Sequence, residues 1–309
     1  MSHFLSYWMT RPVGGWEDGR MADGDPRIID THVHVWDLDG ESPIKVTYPW
    51  LGEHLPVLNR SHRLAEFAAD PAAQDIDAIV LVQSSDQLAE TDELLRVAAG
   101  SPWPTRVTGW LPLADPEATR QALSDRPDAT ALVAVRHLIH DEPDAQWLLR
   151  SDVADGLTEL AAAGLVFEAV AERPDLLAQV PVVARRHPDL VLVLDHLGKP
   201  PLSGSAVALD RWREQLREAA APPNVTAKIS GLGTVSPTGW TADTWRPVID
   251  HALDCFGADR LMLGGDWPVA LQAGTQEFTW ASTLHSVEHL PETDRAAVLG
   301  STAARVYRF

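Results

Sequence analysis

The sequence predicts a single-domain α/β fold, a (β/α)8 TIM barrel, over residues 27–309. Three observations predict it: eight short apolar runs, amphipathic stretches between them, and a span of roughly 280 residues against a typical barrel of about 250. The runs fall at 27–30, 78–83, 107–113, 131–135, 165–170, 191–195, 225–229 and 261–264. Each is dominated by Val, Ile, Leu or Ala, the composition of a strand buried on both faces. Helical patterns lie between them at 86–99, 153–163, 174–187, 209–221 and 245–256. Several begin with an acidic residue or Pro, and Gly100, Gly164 and Gly257 close three of them. A doubly wound open sheet is the alternative, but no glycine-rich dinucleotide turn follows the first run. The link at 35–63, which carries Tyr48-Pro49-Trp50-Leu51, is far longer than the usual βα turn of about 2–6 residues. Long loops of this kind often cover an active site.

Composition bounds the function. The chain is 45% hydrophobic and 22% charged, and has no apolar run long enough to span a bilayer. Its net charge of −19, from 25 basic and 44 acidic residues, argues against bulk attraction to a nucleic-acid backbone. A small anionic substrate stays open, because a local basic cluster overrides a global field. The single cysteine, Cys255, excludes an intrachain disulfide and a thiolate metal cage. Its apolar-periodic surroundings at 248–256 read as those of a buried structural thiol. Residues 1–26 are rich in Gly, Asp and Arg and lack the features of a secretory signal. They read as a flexible or loosely docked extension, with Met21 as an alternative start. The expectation is a cytoplasmic monomer or homodimer acting on a small molecule, without nucleic-acid or membrane partners.

Barrel active sites form where the strands end. Here those ends collect polar groups: His32 and His34, Gln83, Arg136 and His137, Glu168, Asp195 and His196, Lys228 and Ser230, then Asp266. So many titratable strand ends point to an enzyme. In Asp30-Thr31-His32-Val33-His34 the two imidazoles face one side of an extended segment, where they can hold a metal or clamp an anionic oxygen. A lone His-x-His is a weak signal. Lys228 either points into the barrel or reaches solvent. One of Arg136 and His137, not both, faces the pocket centre. Glu168 either serves the site or pairs with Arg136 or Lys228 to neutralise a buried charge. Asp195 either orients His196 or caps a turn. Trp36, Trp50 and Trp267 flank the motifs and suit stacking on a sugar ring, although packing is the commoner use of Trp.

These segments resemble a known family. The stretch from Asp30 to Trp36 looks like the start of the amidohydrolase superfamily (amidohydrolase family 2). Tyr48-Pro49-Trp50-Leu51, Val135-Arg136-His137-Leu138 and Leu194-Asp195-His196-Leu197-Gly198-Lys199-Pro200 narrow the match. So do Lys228-Ile229-Ser230-Gly231-Leu232 and Leu261-Met262-Leu263-Gly264-Gly265-Asp266-Trp267-Pro268-Val269. Together they resemble the branch holding L-fuconolactonase-like sugar lactonases and 2-pyrone-4,6-dicarboxylate lactonase. The resemblance implies a distorted barrel that opens a lactone, with Asp266 as base toward water and His32, His34 and His196 around it. Dinuclear members carry a carboxylated lysine on strand 4, where this chain has Arg136-His137, so a dinuclear centre is not expected.

The branch also includes members that work without metal. The cofactor is therefore none, or one divalent ion, zinc first, on His32, His34 and Asp266 with Glu168 or His196. Arg136, His137 and Lys228 are expected to bind substrate carboxylate or hydroxyl groups. Gln83, Tyr48 and Trp50, with Trp36 and Trp267, are expected to bind the ring of an aldono- or uronolactone. Two rivals stand beside this reading. A metal-dependent decarboxylase would use similar histidines and the same aspartate, but the 195–200 motif leans away from it. A silent barrel serving as a binding subunit would be expected to have lost His32, His34, His196 or Asp266.

Overall fold

The computed structural model describes residues 27–309; the expected extension at 1–26 and the start at Met21 lie outside them. Eight parallel strands run in sequence order: β1 (Ile29–Val33), β2 (Ala78–Val82), β3 (Thr105–Gly109), β4 (Leu132–His137), β5 (Val166–Ala169), β6 (Leu192–Leu194), β7 (Val225–Ile229) and β8 (Leu261–Leu263). The ring closes just beyond β8, where the His34 amide donates to the Trp267 carbonyl at 2.7 Å and the Asp266 amide to the His32 carbonyl at 2.8 Å. The arrangement is the expected (β/α)8 barrel. Outer helices such as Leu88–Ala99, Ser151–Ala162, Ala206–Ala220 and Ala242–Phe256 pack apolar faces on the sheet. Among the described residues no helix is long and apolar enough to cross a membrane.

Several boundaries differ from expectation by a few residues, and three of the differences have a physical reason. β1 begins later and runs through Asp30, Thr31 and His32, because their polar groups find buried partners. The Asp30 carboxylate accepts from the His32 and Gly265 amides at 3.0 and 2.7 Å, and the Thr31 hydroxyl donates to the Leu263 carbonyl at 2.5 Å. β3 ends at Gly109 rather than 113, since the Trp110 amide leaves the ladder to donate to Thr91 Oγ1 at 2.8 Å. The helix expected over 174–187 is split into Pro174–Leu177 and Val180–Arg186. Pro181 sits in the first turn of the second piece, where its missing N–H costs little.

The floor of the barrel is closed from below by the C-terminal helix Thr302–Tyr307. Tyr307 is fully buried and its hydroxyl donates to Glu168 Oε1 at 2.5 Å. Thr108 donates to the same oxygen at 2.8 Å, and Lys228 Nζ to Glu168 Oε2 at 2.6 Å. A buried charge is tolerated only when paired and hydrogen-bonded, and each partner here meets that demand. The link at 35–63 folds over the opposite end. Its Trp36, Tyr48 and Leu58 form a small apolar cluster, and the Trp50 indole donates to the Ser84 carbonyl at 2.7 Å. Tyr307→Phe removes one hydrogen bond to a charged group, so equilibrium denaturation should show a loss of about 1.5–3 kcal/mol. An unchanged unfolding free energy would contradict this account of the barrel floor.

Candidate active site

His32 and His34 leave β1 on the same side, as alternation demands. The Val82 carbonyl lies 2.7 Å from His34 Nδ1, so Nδ1 carries the proton and Nε2 is left with its lone pair. That lone pair stands 3.7 Å from Asp266 Oδ1, and His32 Nε2 stands at the same distance from it. Asp266 comes from the segment after β8 at a left-handed φ of 60°. Its second oxygen, Oδ2, is buried and accepts no hydrogen bond.

His196 reaches the same place by an unusual route. After β6 the chain makes four consecutive left-handed residues: His196, Leu197, Gly198 and Lys199, at φ of 55°, 53°, 66° and 51°. Each non-glycine member costs on the order of 1–2 kcal/mol. Strain of this kind persists only where the surroundings hold it, and it gathers at functional sites. The turn sets His196 Nδ1 2.8 Å from Ser230 Oγ and its ring 4.6 Å from that of His32. Gly231 makes this possible. A Cβ there would fall 2.7 Å from Asp266 Oδ2 and 2.8 Å from His196 Nδ1.

Beneath these groups lies a chain of ions. Lys228, entirely buried, points into the barrel, where it donates to Glu168 at 2.6 Å, forms an ion pair with Asp195 at 3.2 Å and lies 3.1 Å from His32 Nδ1. Arg136 donates to Asp195 at 3.0 Å, approaches His32 Nε2 at 3.2 Å, and is gripped by the side chain and carbonyl of Gln83. Burial pushes the Asp195 carboxyl up, but Lys228 and Arg136 outweigh it and hold it far below the usual range. Burial, reinforced by Lys228, keeps His32 neutral, and burial lowers His34 and His196 as well. For Asp266 burial also raises the pKa, yet His196, the His34 contact and Lys199 bring it below the ordinary carboxylate value. The site therefore presents the ionised carboxylate of Asp266 beside imidazoles whose charged forms burial disfavours.

The structure gathers His32, His34, His196, Asp266 and Arg136, with Lys228 directly below. It sends other expected site residues elsewhere. Of the two alternatives on β4, Arg136 faces the centre. His137 turns outward, stacked on Trp147 at 3.9 Å, with Nδ1 accepting from the Trp110 indole and Nε2 donating to Glu142. Gln83 is buried and spent on Arg136 and Asp86. Trp36 and Tyr48 are buried in the folded-over link, and Trp267 packs against His62 and Phe67. Trp50, by contrast, remains only half-buried.

Two sets of ligand atoms lie within 4.8 Å of one another: His32, His34 and Asp266, and His32, Asp195 and His196. Glu168 is in neither, because Tyr307, Thr108 and Lys228 occupy both of its oxygens lower in the barrel. The first set fits a divalent ion. It offers the bare His34 Nε2 and an ionised carboxylate with an unpartnered oxygen, a three-ligand donor set of the kind catalytic zinc uses. Arg136 competes for the third donor, His32 Nε2.

Sequence reasoning gave no site role to Asp30, Tyr307 or the Lys199–Glu172 ion pair at 3.0 Å. Asp30, pushed up to about 7 by burial, ties β1 to the segment carrying Asp266. Its place two residues before His32 was the available signal. Tyr307 offered none, since its partner lies 139 residues away.

The family model for amidohydrolases matches residues 29–309. An L-fucono-1,5-lactonase from Burkholderia multivorans is 35% identical over 295 residues, covering 90% of this chain and 95% of that protein. Another from Burkholderia ambifaria is 30% identical over 287 residues, covering 91% and 95%. Among solved structures, an amidohydrolase from Burkholderia multivorans with bound zinc superposes at a TM-score of 0.81 and 34% identity, over 92% of this chain and 99% of that one. Matched from its first strand to its last residue, the chain belongs to the amidohydrolase family.

Proposed function

We propose that the chain hydrolyses a small, uncharged sugar-acid lactone, adding water to the ring carbonyl with Asp266 as general base. The observation that carries this reading is the Asp266 carboxylate itself: ionised, buried, and with one oxygen left to accept a proton. Its similarity to two L-fucono-1,5-lactonases supports the substrate class. The balance of charge supports an aldonolactone over a uronolactone or a pyrone dicarboxylate. Arg136, Lys228 and Lys199 already face Asp195, Glu168 and Glu172, so the cations around the site are matched before any substrate arrives.

In this mechanism Asp266 takes a proton from water as the water oxygen bonds to the carbonyl carbon. The carbonyl oxygen becomes an oxyanion and needs donors fixed in advance. His34 is unsuited, because its one N–H is spent on Val82. His196 suits the task when Ser230 donates to Nδ1, which leaves the Nε2–H free. When the tetrahedral centre collapses, the ring C–O bond breaks and protonated Asp266 returns its proton to the leaving alkoxide. The product is a hydroxy acid that releases one proton to solvent. A divalent ion on His32, His34 and Asp266, zinc in the solved relative, supplies Lewis acidity toward the carbonyl oxygen when bound.

The direct test is a pH-indicator assay against a panel of aldono-, urono- and unsubstituted lactones, with and without chelator. Aldonolactones should open fastest, well above the spontaneous rate, and the rate should fall after chelation. A full rate after chelation would leave carbonyl polarisation to His196. A folded protein inactive on every lactone would overturn the reading. Asp266→Asn should lower kcat by about 10²–10⁴, the usual worth of a positioned base. Circular dichroism should be unchanged, and a kcat within tenfold of wild type would exclude Asp266 as the base.

A further inference from the structure

We propose that Lys199 and Glu172 form a hydroxyl-recognising pair that selects polyhydroxylated lactones, with Trp240 as the apolar wall of the same subsite; this rests on the lactonase reading. Both charged residues line a cavity of about 780 Å³ formed by the segments that follow β5 to β8, together with Thr234, Trp240 and Gln272. Two residues of the cavity wall bond to the residues that flank the proposed base. Gly231 lies against Asp266 Oδ2 and His196, the Thr234 hydroxyl donates to the Gly231 carbonyl at 2.8 Å, and Thr234 lines the cavity. From the other side, the Lys199 amide donates to the His196 carbonyl at 2.9 Å.

Lys199 is not an ordinary surface lysine. It is the last of the four left-handed residues, and Pro200 follows it, so the turn that presents His196 also fixes where Lys199 departs. Its ammonium meets Glu172 at 3.0 Å, and the two side chains are only 17% and 30% exposed. The pair carries no net charge and so does not select an anion. It still offers a donor beside an acceptor, because one contact uses one of three ammonium N–H groups and one of about four carboxylate lone-pair sites. Adjacent hydroxyls of a sugar, each both donor and acceptor, match that arrangement. Trp240 is stiffened by stacking on Trp245 at 4.6 Å and contact with Phe278 at 4.9 Å, giving a rigid wall for the C–H face of a ring.

The test compares a polyhydroxylated δ-lactone with unsubstituted δ-valerolactone in the full-length wild type, Lys199→Met, Glu172→Gln and the double variant. The readout is the ratio of kcat/KM values for the two lactones. That ratio should fall by roughly 10–100-fold in each single variant, as expected for losing hydrogen bonds to a charged group. The change should appear mainly in KM, and the double variant should fall little further. The double variant also guards against misfolding, since it strands neither charge. A ratio within threefold of wild type in all three variants would overturn the proposal, as would an equal loss on both lactones. A wild type that opens neither lactone would instead overturn the parent reading, and this inference with it.

Discussion

Everything at the catalytic end of this barrel depends on an ammonium that never sees water. Lys228 lies inside the ring with Glu168 below it, Asp195 above, and His32 beside it. Each neighbour is in turn committed: Glu168 to Tyr307 and Thr108, and Asp195 to Arg136. Removing one partner from such a buried network leaves an uncompensated charge, commonly worth 3–5 kcal/mol or so. The network therefore fixes the rotamers around the site before any substrate binds. It also assigns protonation states, with Asp195 ionised, His32 neutral, and Arg136 aimed inward. Asp266, in the layer above, is left with a buried carboxylate oxygen, Oδ2, that accepts no hydrogen bond.

The second constraint is backbone strain held by close packing. Three left-handed non-glycine residues after β6 and a fourth at Asp266 bring His196 and Asp266 together. Gly231 supplies the space between them. The energy for this distortion comes from the barrel, whose apolar layers and closing hydrogen bonds leave the turn no alternative course. The same distortion carries Lys199 to the wall of the cavity that it lines with Glu172. Positioning the proton acceptor and positioning a group that can read the substrate are thus consequences of one turn.

Much of this was legible in the sequence, and the rest was hidden for identifiable reasons. The eight strands announced themselves as short Val/Ile/Leu runs, and His32, His34, His196 and Asp266 as polar groups at strand ends. The end of β1 lies beyond the expected Asp30 because Thr31 and His32 read as polar when their partners are invisible locally. Arg136 and His137 were interchangeable on paper. The choice is made by Trp147, which stacks on the outward imidazole, and by Asp195, which draws the guanidinium inward. Glu168 looked free to bind a metal only because Tyr307, at the far end of the chain, gives no local sign of reaching it. Tryptophans beside motifs suggested stacking platforms, yet Trp36 and Trp267 are packing residues.

The central claim is that water activated at Asp266 attacks the carbonyl carbon of the ring. The measurement that tests it most directly is one turnover in ¹⁸O-labelled water, with the label located by mass spectrometry of product fragments. The account predicts one labelled oxygen in the new carboxylate and none in the released hydroxyl. Label in the hydroxyl would mean attack at the alkyl carbon, for which this arrangement of base and oxyanion donors gives no explanation.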